Sequence, residues 1–346
     1  MNAAPSATGS HLTTTEKPRV LVTGGAGYIG SHAVHALLDA GYDVSVADNL
    51  VTGFRWAVPD AARFHQVDIG DVEAMTRILS DDGIGAIMHF AGSVVVPESV
   101  EDPLKYYRNN TAATRGLLEA AVAAGVSHFI FSSTAATYGL GEGKPLSEGD
   151  AQRPINPYGT SKLMTEMMLR DVAAAHRLNF CALRYFNVAG ADPEGRTGQS
   201  TKGATHLIKV ASEAAWGKRD HVAVFGTDYD TPDGTGVRDY IHVSDLAAAH
   251  VLALEWLREH PGESLFMNAG YKRGFSVLEV LDAVERVSGN TVERKMEPRR
   301  AGDPGLLISD NAKILATLDW TPKYADLDTI VGHALAWERQ LKDRMN

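Results

Sequence analysis

The sequence predicts an α/β protein, a doubly wound parallel sheet with a smaller mixed α/β lobe towards its C-terminal end. Three observations carry this. Short apolar runs alternate with helical periodicity from Arg19 to Arg184, the pattern of strand–helix–strand units feeding a parallel sheet. A glycine-rich turn, Gly24-Gly25-Ala26-Gly27-Tyr28-Ile29-Gly30, joins the first apolar run to the first helical one. After about residue 187 the loops lengthen, and prolines and glycines cluster at 191–203 and 229–236.

Arg19 to Thr23 reads as the first strand, and a helix follows the turn as far as Leu38. Glycines at 24, 27 and 30 suit a tight turn, close approach of backbone to a pyrophosphate, and close helix–strand packing. The helix start adds unpaired N–H groups and the positive end of a dipole. The second strand, Asp43 to Ala47, ends at Asp48-Asn49, where the acid can accept hydrogen bonds from an adenosine ribose. Asp48 would repel a 2′-phosphate, so NAD rather than NADP is the expected cofactor.

Arg63 to Val67 is a third strand leading into Asp68-Ile69, and Gly85 to Phe90 a fourth ending in Ala91-Gly92. Pro103 to Ala124 has helical periodicity and carries Asn109-Asn110. His128 to Ser132 is a fifth strand, and Phe180 to Arg184 a sixth. Ligands of such sheets sit at the carboxyl ends of the strands, so one crevice is expected to collect Asp68, Ala91, Thr134 and Asn187. Beyond it, helices are expected near Ala204–Trp216, Ser244–Arg258, Ser276–Ser288 and Asp328–Leu341, with strands at Val222–Phe225 and Ser264–Asn268. The division is a flexible tail over 1–17, an NAD-binding domain over 18–187, and a mainly substrate-binding lobe over 188–346, some segments of which return to the first domain.

Pro157 fits a helix start, which places Tyr158 and Lys162, four residues apart, on one face. A tyrosine with a reference pKa of about 10 is a poor base at neutral pH. A cation at roughly 4–6 Å, with an effective dielectric near 20, favours the phenolate by roughly 3–4 kcal/mol. The pair therefore suits removal of a proton from a sugar or alcohol hydroxyl. Alone, such a pair more often marks a solvated helix face, and its weight comes from the glycine loop before it. Arg238 and Arg300 each stand beside an acid, Asp239 and Asp303 respectively. One such arginine reads as a surface ion pair; two reaching one nucleotide cleft suit a diphosphate.

Composition excludes several classes. Net charge is −10, and no basic run exceeds Pro298-Arg299-Arg300, so neither nucleic acid nor an anionic membrane is an expected partner. No apolar stretch approaches the roughly 20 residues of a membrane span. Residues 1–17 lack the apolar centre of a secretory signal, which fits a cytoplasmic protein. Cys181 is the sole cysteine and lies in an apolar strand, so it reads as an inert buried thiol. His32, His35, His242 and His250 lack carboxylates or thiols at ligand spacing, and no metal is expected.

The Gly24/Gly27/Gly30 loop, Phe131-Ser132-Ser133-Thr134, Tyr158-x-x-x-Lys162 and Arg184-Tyr185-Phe186-Asn187 resemble the extended short-chain dehydrogenase/reductase family. Asp48-Asn49-Leu50, His89-Phe90-Ala91-Gly92, Glu98-Ser99-Val100 and the block from Gly234 to Val243 narrow this to the UDP-glucose (UDP-galactose) 4-epimerases, from about Arg19 to the C-terminal helix. The resemblance implies reversible 4-epimerisation through a 4-keto sugar, with hydride passed to and from tightly held NAD. It assigns Tyr158 as the base, Thr134 as the group that binds the 4-oxygen and relays the proton, and Lys162 as the cation that holds the nicotinamide ribose and lowers the tyrosine pKa. Cofactor contacts carried over are Gly24, Gly27, Tyr28, Ile29, Gly30, Asp48, Asn49, Asp68, Ile69, Phe90, Ala91, Gly92, Asn110 and Tyr185. Substrate contacts are Asn187, His206, Leu207, Phe225, Arg238, Arg300 and Asp303, with Leu307 where relatives differ over N-acetylated sugars.

Three positions depart from the family pattern. Val94 replaces a lysine often found near the cofactor, His206 an asparagine, and Leu307 is intermediate between a bulky tyrosine and a small residue. Ala135-Ala136 follow Thr134 where the related 4,6-dehydratases carry an Asp-Glu pair, and alanines cannot eliminate water. Uronate decarboxylases usually carry a glutamate in this stretch as well. UDP-N-acetylhexosamine, UDP-pentose and UDP-uronate remain alternative substrates. A non-catalytic NAD-binding regulator would be expected to lack Tyr158 or Lys162, and both are present. The Pro103–Ala124 and Tyr158–Ala175 helices are apolar on more than one face, which core packing explains alone; the resemblance implies a homodimer through them.

Overall fold

Val20, Leu21 and Val22 are consecutive apolar residues with no solvent exposure, as a strand requires when both faces are covered. They form the centre of β1 (Arg19–Thr23), followed by α1 (Tyr28–Asp39), β2 (Val44–Asp48), β3 (Arg63–Gln66), α2 (Val72–Asp81) and β4 (Ile84–His89). Then come α3 (Val96–Glu101), α4 (Pro103–Tyr106), α5 (Ala113–Ala124), β5 (His128–Thr134), α6 (Pro157–Ala175) and β6 (Asn179–Tyr185). The second half contains β7 (Asn187–Ala189), α7 (Leu207–Ala215), β8 (Val222–Phe225), β9 (Val237–His242), α8 (Val243–Glu259) and β10 (Leu265–Ala269). It ends with β11 (Gly274–Ser276), α9 (Val277–Ser288), β12 (Arg294–Glu297), β13 (Leu306–Leu307), α10 (Ala312–Thr317) and α11 (Leu327–Arg344). The computed structural model describes residues 17–344 apart from 142 and 301, so the expected tail, Lys17 excepted, lies outside the described residues.

Seven parallel strands in the order β10-β6-β5-β4-β1-β2-β3 form the central sheet. The order reverses between β1 and β4, which opens a crevice at their carboxyl ends. One face is covered by α1 and α8, through Val34, Leu37, Leu246 and Leu254. The other is covered by α2, α5 and α6, through Met75, Leu117 and Leu169. The fold is thus the doubly wound sheet expected, with one strand more than the six read before residue 187. That strand is β10, which pairs with β6 from the second half of the chain. A second core, with Ile208, Leu281, Val284, Ile330 and Leu335, joins α7, α9 and α11. Beside it β9 pairs with β7, β11 and β13, and β8 with β12.

Two local departures matter for the site. The single helix expected over Pro103 to Ala124 is interrupted by a π-helical turn at Tyr107–Ala112. In an α-helix adjacent residues point about 100° apart; the wider turn lets both asparagines reach Ser93. Asn109 Nδ2 donates to Ser93 Oγ (3.1 Å), while Asn110 accepts from Ser93 N (2.7 Å) and donates to Ser93 O (3.0 Å). Helix α7 begins at Leu207 rather than Ala204, because His206 is extended at φ −68°, ψ 131°.

The segment between β7 and α7 is fastened on two sides. Towards α1, the Tyr28 hydroxyl donates to Gly190 O (2.7 Å), Ser31 and Thr197 hydroxyls meet at 2.8 Å, and Arg196 pairs with Asp39 (2.9 Å). Towards α11, Trp337 lies so close to Gly198 that a Cβ there would stand 2.4 Å from the indole. Arg344 donates to the carbonyls of Gly195 (2.9 Å) and Arg196 (3.2 Å).

Candidate active site

The crevice between β1 and β4 is shaped by backbone. Gly24 has φ +69°, a conformation glycine adopts without strain, and a Cβ there would fall 2.6 Å from Ala91 N. At Gly30 a Cβ would fall 2.1 Å from Gly24 O, so helix and loop approach as only glycine permits. Gly27 caps α1 without any side-chain hydrogen bond, leaving the first N–H groups of the helix available to phosphate oxygens. Asp48 closes this side: its carboxylate accepts from Ala26 N (2.9 Å) and Leu50 N (2.8 Å). Burial raises its pKa, and the two backbone bonds oppose that shift. Asn49 Nδ2 donates to Asp68 Oδ2 (3.1 Å), and Ile69 is buried beside them. Phe90 N donates to Thr23 O (3.0 Å), which sets the Phe90–Gly92 segment against the glycine loop. A cleft that glycines keep open, with a free helix start and an acid at the end of β2, fits NAD. Tyr28 and Tyr185 spend their hydroxyls elsewhere, on Gly190 O and on Ser132 Oγ respectively, so their side-chain hydroxyls are already engaged within the protein.

Helix α6 starts where the sequence places it: Asn156 Oδ1 accepts from Gly159 N (2.8 Å) and Pro157 occupies the first turn. Tyr158 and Lys162 follow one turn apart, beneath the end of β5. Thr134 Oγ1 accepts from Ala136 N (3.1 Å), and its hydroxyl opposes the rise that burial gives the Tyr158 phenol's pKa. Lys162 is buried and donates to Ser132 O (2.9 Å), with its ammonium 4.9 Å from the Phe131 ring centre. A Cβ on Gly92 would stand 3.9 Å from that ammonium and 2.9 Å from Asn110 Oδ1, so these three groups share the floor of the crevice. Asn110 also donates to Ser161 Oγ (3.0 Å), which in turn donates to Tyr158 O (2.8 Å).

The electrostatics correct one expectation. Burial raises the Tyr158 pKa, and the opposing effect comes from Thr134 rather than from Lys162. The lysine itself is pulled down from 10.5 to about 8 by desolvation. Its ammonium points at the Ser132 carbonyl, and loss of solvent is the largest influence on the phenol.

The substrate-side residues form two groups. Asn187, His206 and Leu207 line one pocket together with Gln199, Tyr240 and Trp337. The Gln199 amide meets His206 Nδ1 at 2.8 Å, and burial lowers the pKa of that histidine. Phe225, Arg238, Arg300 and Asp303 form the other group. The Arg300 guanidinium lies 3.7 Å from the centre of the Phe225 ring, and Arg238 pairs with Asp303. The pairing of Arg238 with its sequence neighbour Asp239 does not occur. Successive strand residues face opposite ways, and Asp239 is buried, accepting from Tyr271 N, Lys272 N and Ser309. Leu307 sits opposite Arg238 in the β13–β9 register and packs, with Phe186, on Ala135, Tyr138 and Leu146.

The sequence reading missed Glu166. Its carboxylate receives Arg184 Nε (2.9 Å) and Nη2 (2.7 Å) and Ser133 Oγ (2.5 Å) in the interior, and the half-buried Gln152 Nε2 (2.8 Å). The signal was present, since 158, 162 and 166 are spaced by four along one helix stripe.

Residues 20–270 match the model of the NAD dependent epimerase/dehydratase family. The UDP-glucose 4-epimerase of Azospirillum brasilense is 58% identical over 95% of this chain and 94% of its own. The crystal structure of UDP-glucose 4-epimerase from Brucella ovis in complex with NAD superposes with a TM-score of 0.89, at 47% identity, covering 92% of this chain and 98% of that one. The UDP-Glc/GlcNAc 4-epimerase of Campylobacter jejuni, also 47% identical, superposes at 0.82 over 94% of this chain and 100% of its own. A crevice fitted to a dinucleotide and matches of this length agree: the chain belongs to the NAD dependent epimerase/dehydratase family.

Proposed function

We propose that this protein is an NAD-dependent UDP-sugar 4-epimerase that interconverts UDP-glucose and UDP-galactose. The carrying observation is the glycine-shaped crevice with Tyr158 and the buried Lys162 one turn apart on α6 and Thr134 at the end of β5 beside them. Bound NAD supplies the acceptor for hydrogen leaving C4 of the sugar and the donor for its return. The chain's own residues handle everything else. The 4-hydroxyl proton passes through Thr134 to the Tyr158 oxygen, and the same atoms return it when the ring presents its opposite face. Thr134 is oriented for this because the Ala136 N–H occupies its lone pair and leaves its proton free to point at the phenol. Lys162 holds positive charge under the cofactor's ribose, and Asp48 and Asn49 take the adenosine end. Arg238, Arg300 and Asp303 hold the diphosphate and ribose, Phe225 the uracil, and Asn187 with His206 and Leu207 the remaining nucleotide contacts. The closest competing chemistry on this fold, elimination of water, lacks its acid–base pair at Ala135-Ala136.

A second substrate class follows from Leu307. It packs on the apolar cluster beside Thr134 and is smaller than a tyrosine, which supports acceptance of UDP-N-acetylhexosamines as well. We also infer a homodimer through α4–α5 and α6, whose neighbourhood exposes Val100, Leu104, Met164 and Met167; a monomer by light scattering refutes it. Functionally the cofactor unit spans 18–187 plus the returning α8 and β10, with the substrate lobe formed by the remainder. None of the described helices is long and apolar enough to cross a membrane, and we place the enzyme in the cytoplasm. The decisive experiment incubates the purified protein with UDP-glucose, UDP-galactose and their N-acetyl forms without added NAD, and separates the products. Interconversion establishes the activity and cofactor retention together; no turnover of any of the four sinks the reading.

A further inference from the structure

A 4-epimerase of this kind must hold the nucleotide still while the sugar ring leaves the base, turns and returns. The base side and the nucleotide side of this cleft come from different parts of the chain, so something must fix their separation. The structure contains a continuous buried path between them. It starts at Glu166, on the same stripe of α6 as Tyr158 and Lys162, and passes to Arg184 on β6. Arg184 Nη1 donates to the Tyr138 hydroxyl (2.9 Å), and that hydroxyl donates to Asn268 Oδ1 (2.7 Å). Asn268, on β10, donates through Nδ2 to Leu146 O (2.7 Å). Leu146 is stitched to the substrate side: its N–H donates to Ile308 O (2.9 Å), and its carbonyl also accepts from Asp310 N (2.7 Å). Between these, Ser309 donates to Asp239 Oδ2 (2.6 Å), beside Arg238 on β9. Tyr138, Glu166, Arg184, Asn268, Ser309 and Asp239 are all at most 3% exposed.

We propose that Tyr138 and Asn268 are positioning residues that set the distance between the catalytic base and the diphosphate anchor. Neither touches the reacting atoms. Tyr138 sits four residues after Thr134, and its ring belongs to the same apolar cluster as Phe186 and Leu307. Its hydroxyl is a central link, an acceptor from Arg184 on β6 and a donor to Asn268 on β10, which carries the path on to Leu146 and the substrate side. A fully satisfied buried network is rigid and specifies one arrangement; a broken one leaves polar groups unpaired and the two sides free to drift. Drift leaves nucleotide affinity unchanged yet lengthens the time the 4-keto ring spends away from the base, so the intact UDP-4-ketosugar dissociates in more of the turnovers and leaves its hydride on the cofactor.

The inference rests on the epimerase reading, and it is judged only on wild-type protein that turns over; if wild type is inert, the earlier reading has failed, not this one. Tyr138→Phe keeps the ring and removes the link. Asn268→Asp keeps the acceptor for Tyr138 and removes the donor to Leu146. Each variant is examined for kcat, for UDP affinity by calorimetry, for Tm, and for free 4-ketone in the filtrate, trapped with borodeuteride and read by mass. The expected result for both is kcat about tenfold lower, the scale of one broken buried hydrogen bond, UDP affinity within about twofold of wild type, and more deuterated sugar in the filtrate. A lower Tm with unchanged kcat and unchanged released ketone overturns the proposal. So does a loss of UDP affinity equal to the loss of kcat/KM, which would make the path part of the nucleotide site. Failure of both variants to fold would likewise reduce it to a structural role.

Discussion

Gly24, Gly30 and Gly92 shape one side of the cleft with backbone, whereas Phe225, Arg238, Arg300 and Asp303 shape the other with side chains drawn from separate strands and loops. On the glycine side the tolerances are set by atoms that cannot move: a single added carbon meets Gly24 O at 2.1 Å. On the arginine side the contacts are an ion pair and a cation over an aromatic face, both made by long side chains that can readjust. Backbone cradles therefore fail abruptly and side-chain clusters fail by degrees. Between them lies the Thr134–Tyr158–Lys162 group, where burial rather than packing sets the behaviour.

The largest effect is expected in that middle region. Tyr158→Phe removes the proton acceptor and should lower kcat by roughly a thousandfold, with bound NAD, read from the absorbance of purified protein, unchanged. Normal turnover by this variant would mean that another group is the base. The glycine side is tested next. Gly30→Ala should strip NAD from the purified protein and cost about 1–3 kcal/mol of stability by overpacking. Gly27→Ala, whose new carbon would stand 3.2 Å from the same oxygen, should do much less. Equal losses in the two variants would mean that close approach to Gly24 O does not set the tolerance of the glycine wall.

Lys162 offers a test in the opposite direction. Its pKa falls from 10.5 to about 8 on folding, so the buried ammonium costs stability at neutral pH. Below about pH 8 both folded and unfolded lysines are protonated and the whole cost applies. Between about pH 8 and 10.5 the unfolded chain binds more protons, so wild-type stability rises with pH. Lys162→Met in cofactor-free protein should therefore raise stability at pH 7 by up to about 3 kcal/mol, and that gain should shrink across this window while activity is lost. A melting temperature that falls at pH 7 would show that the bond to Ser132 O outweighs the desolvation. The smallest effect belongs to the arginine side: Asp303→Asn should weaken UDP by roughly fivefold, about 1 kcal/mol, leaving NAD in place. Loss of NAD there would mean the two walls are not separate.

The same contrast explains what could be read from the sequence. Glycine spacing, an acid after the second strand and a proline at the start of α6 are local signals, and the crevice, Asp48 and the Tyr158–Lys162 stripe lie where they indicate. Long-range pairings leave no such trace. Arg238 finds Asp303, 65 residues away, rather than its neighbour Asp239, although strand alternation alone argued against the neighbour. The seventh strand falls with the C-terminal lobe by its place in the sequence, because nothing within Leu265–Ala269 identifies β6 as its partner. The π turn at Tyr107–Ala112 is invisible to periodicity, and the bonds from Asn109 and Asn110 to Ser93 that go with it join residues distant in sequence. Proximity in sequence says where a cation sits but not how much water surrounds the phenol, whose pKa burial raises.

The indole of Trp337 pressed onto Gly198, and the guanidinium of Arg344 hooked to two carbonyls, make the final helix a clasp for the first one. The two ends of the described chain are thereby tied through a single loop, so nicking, shortening or fusing the protein at its last turns would register some three hundred residues upstream, where α1 offers its open end to the dinucleotide.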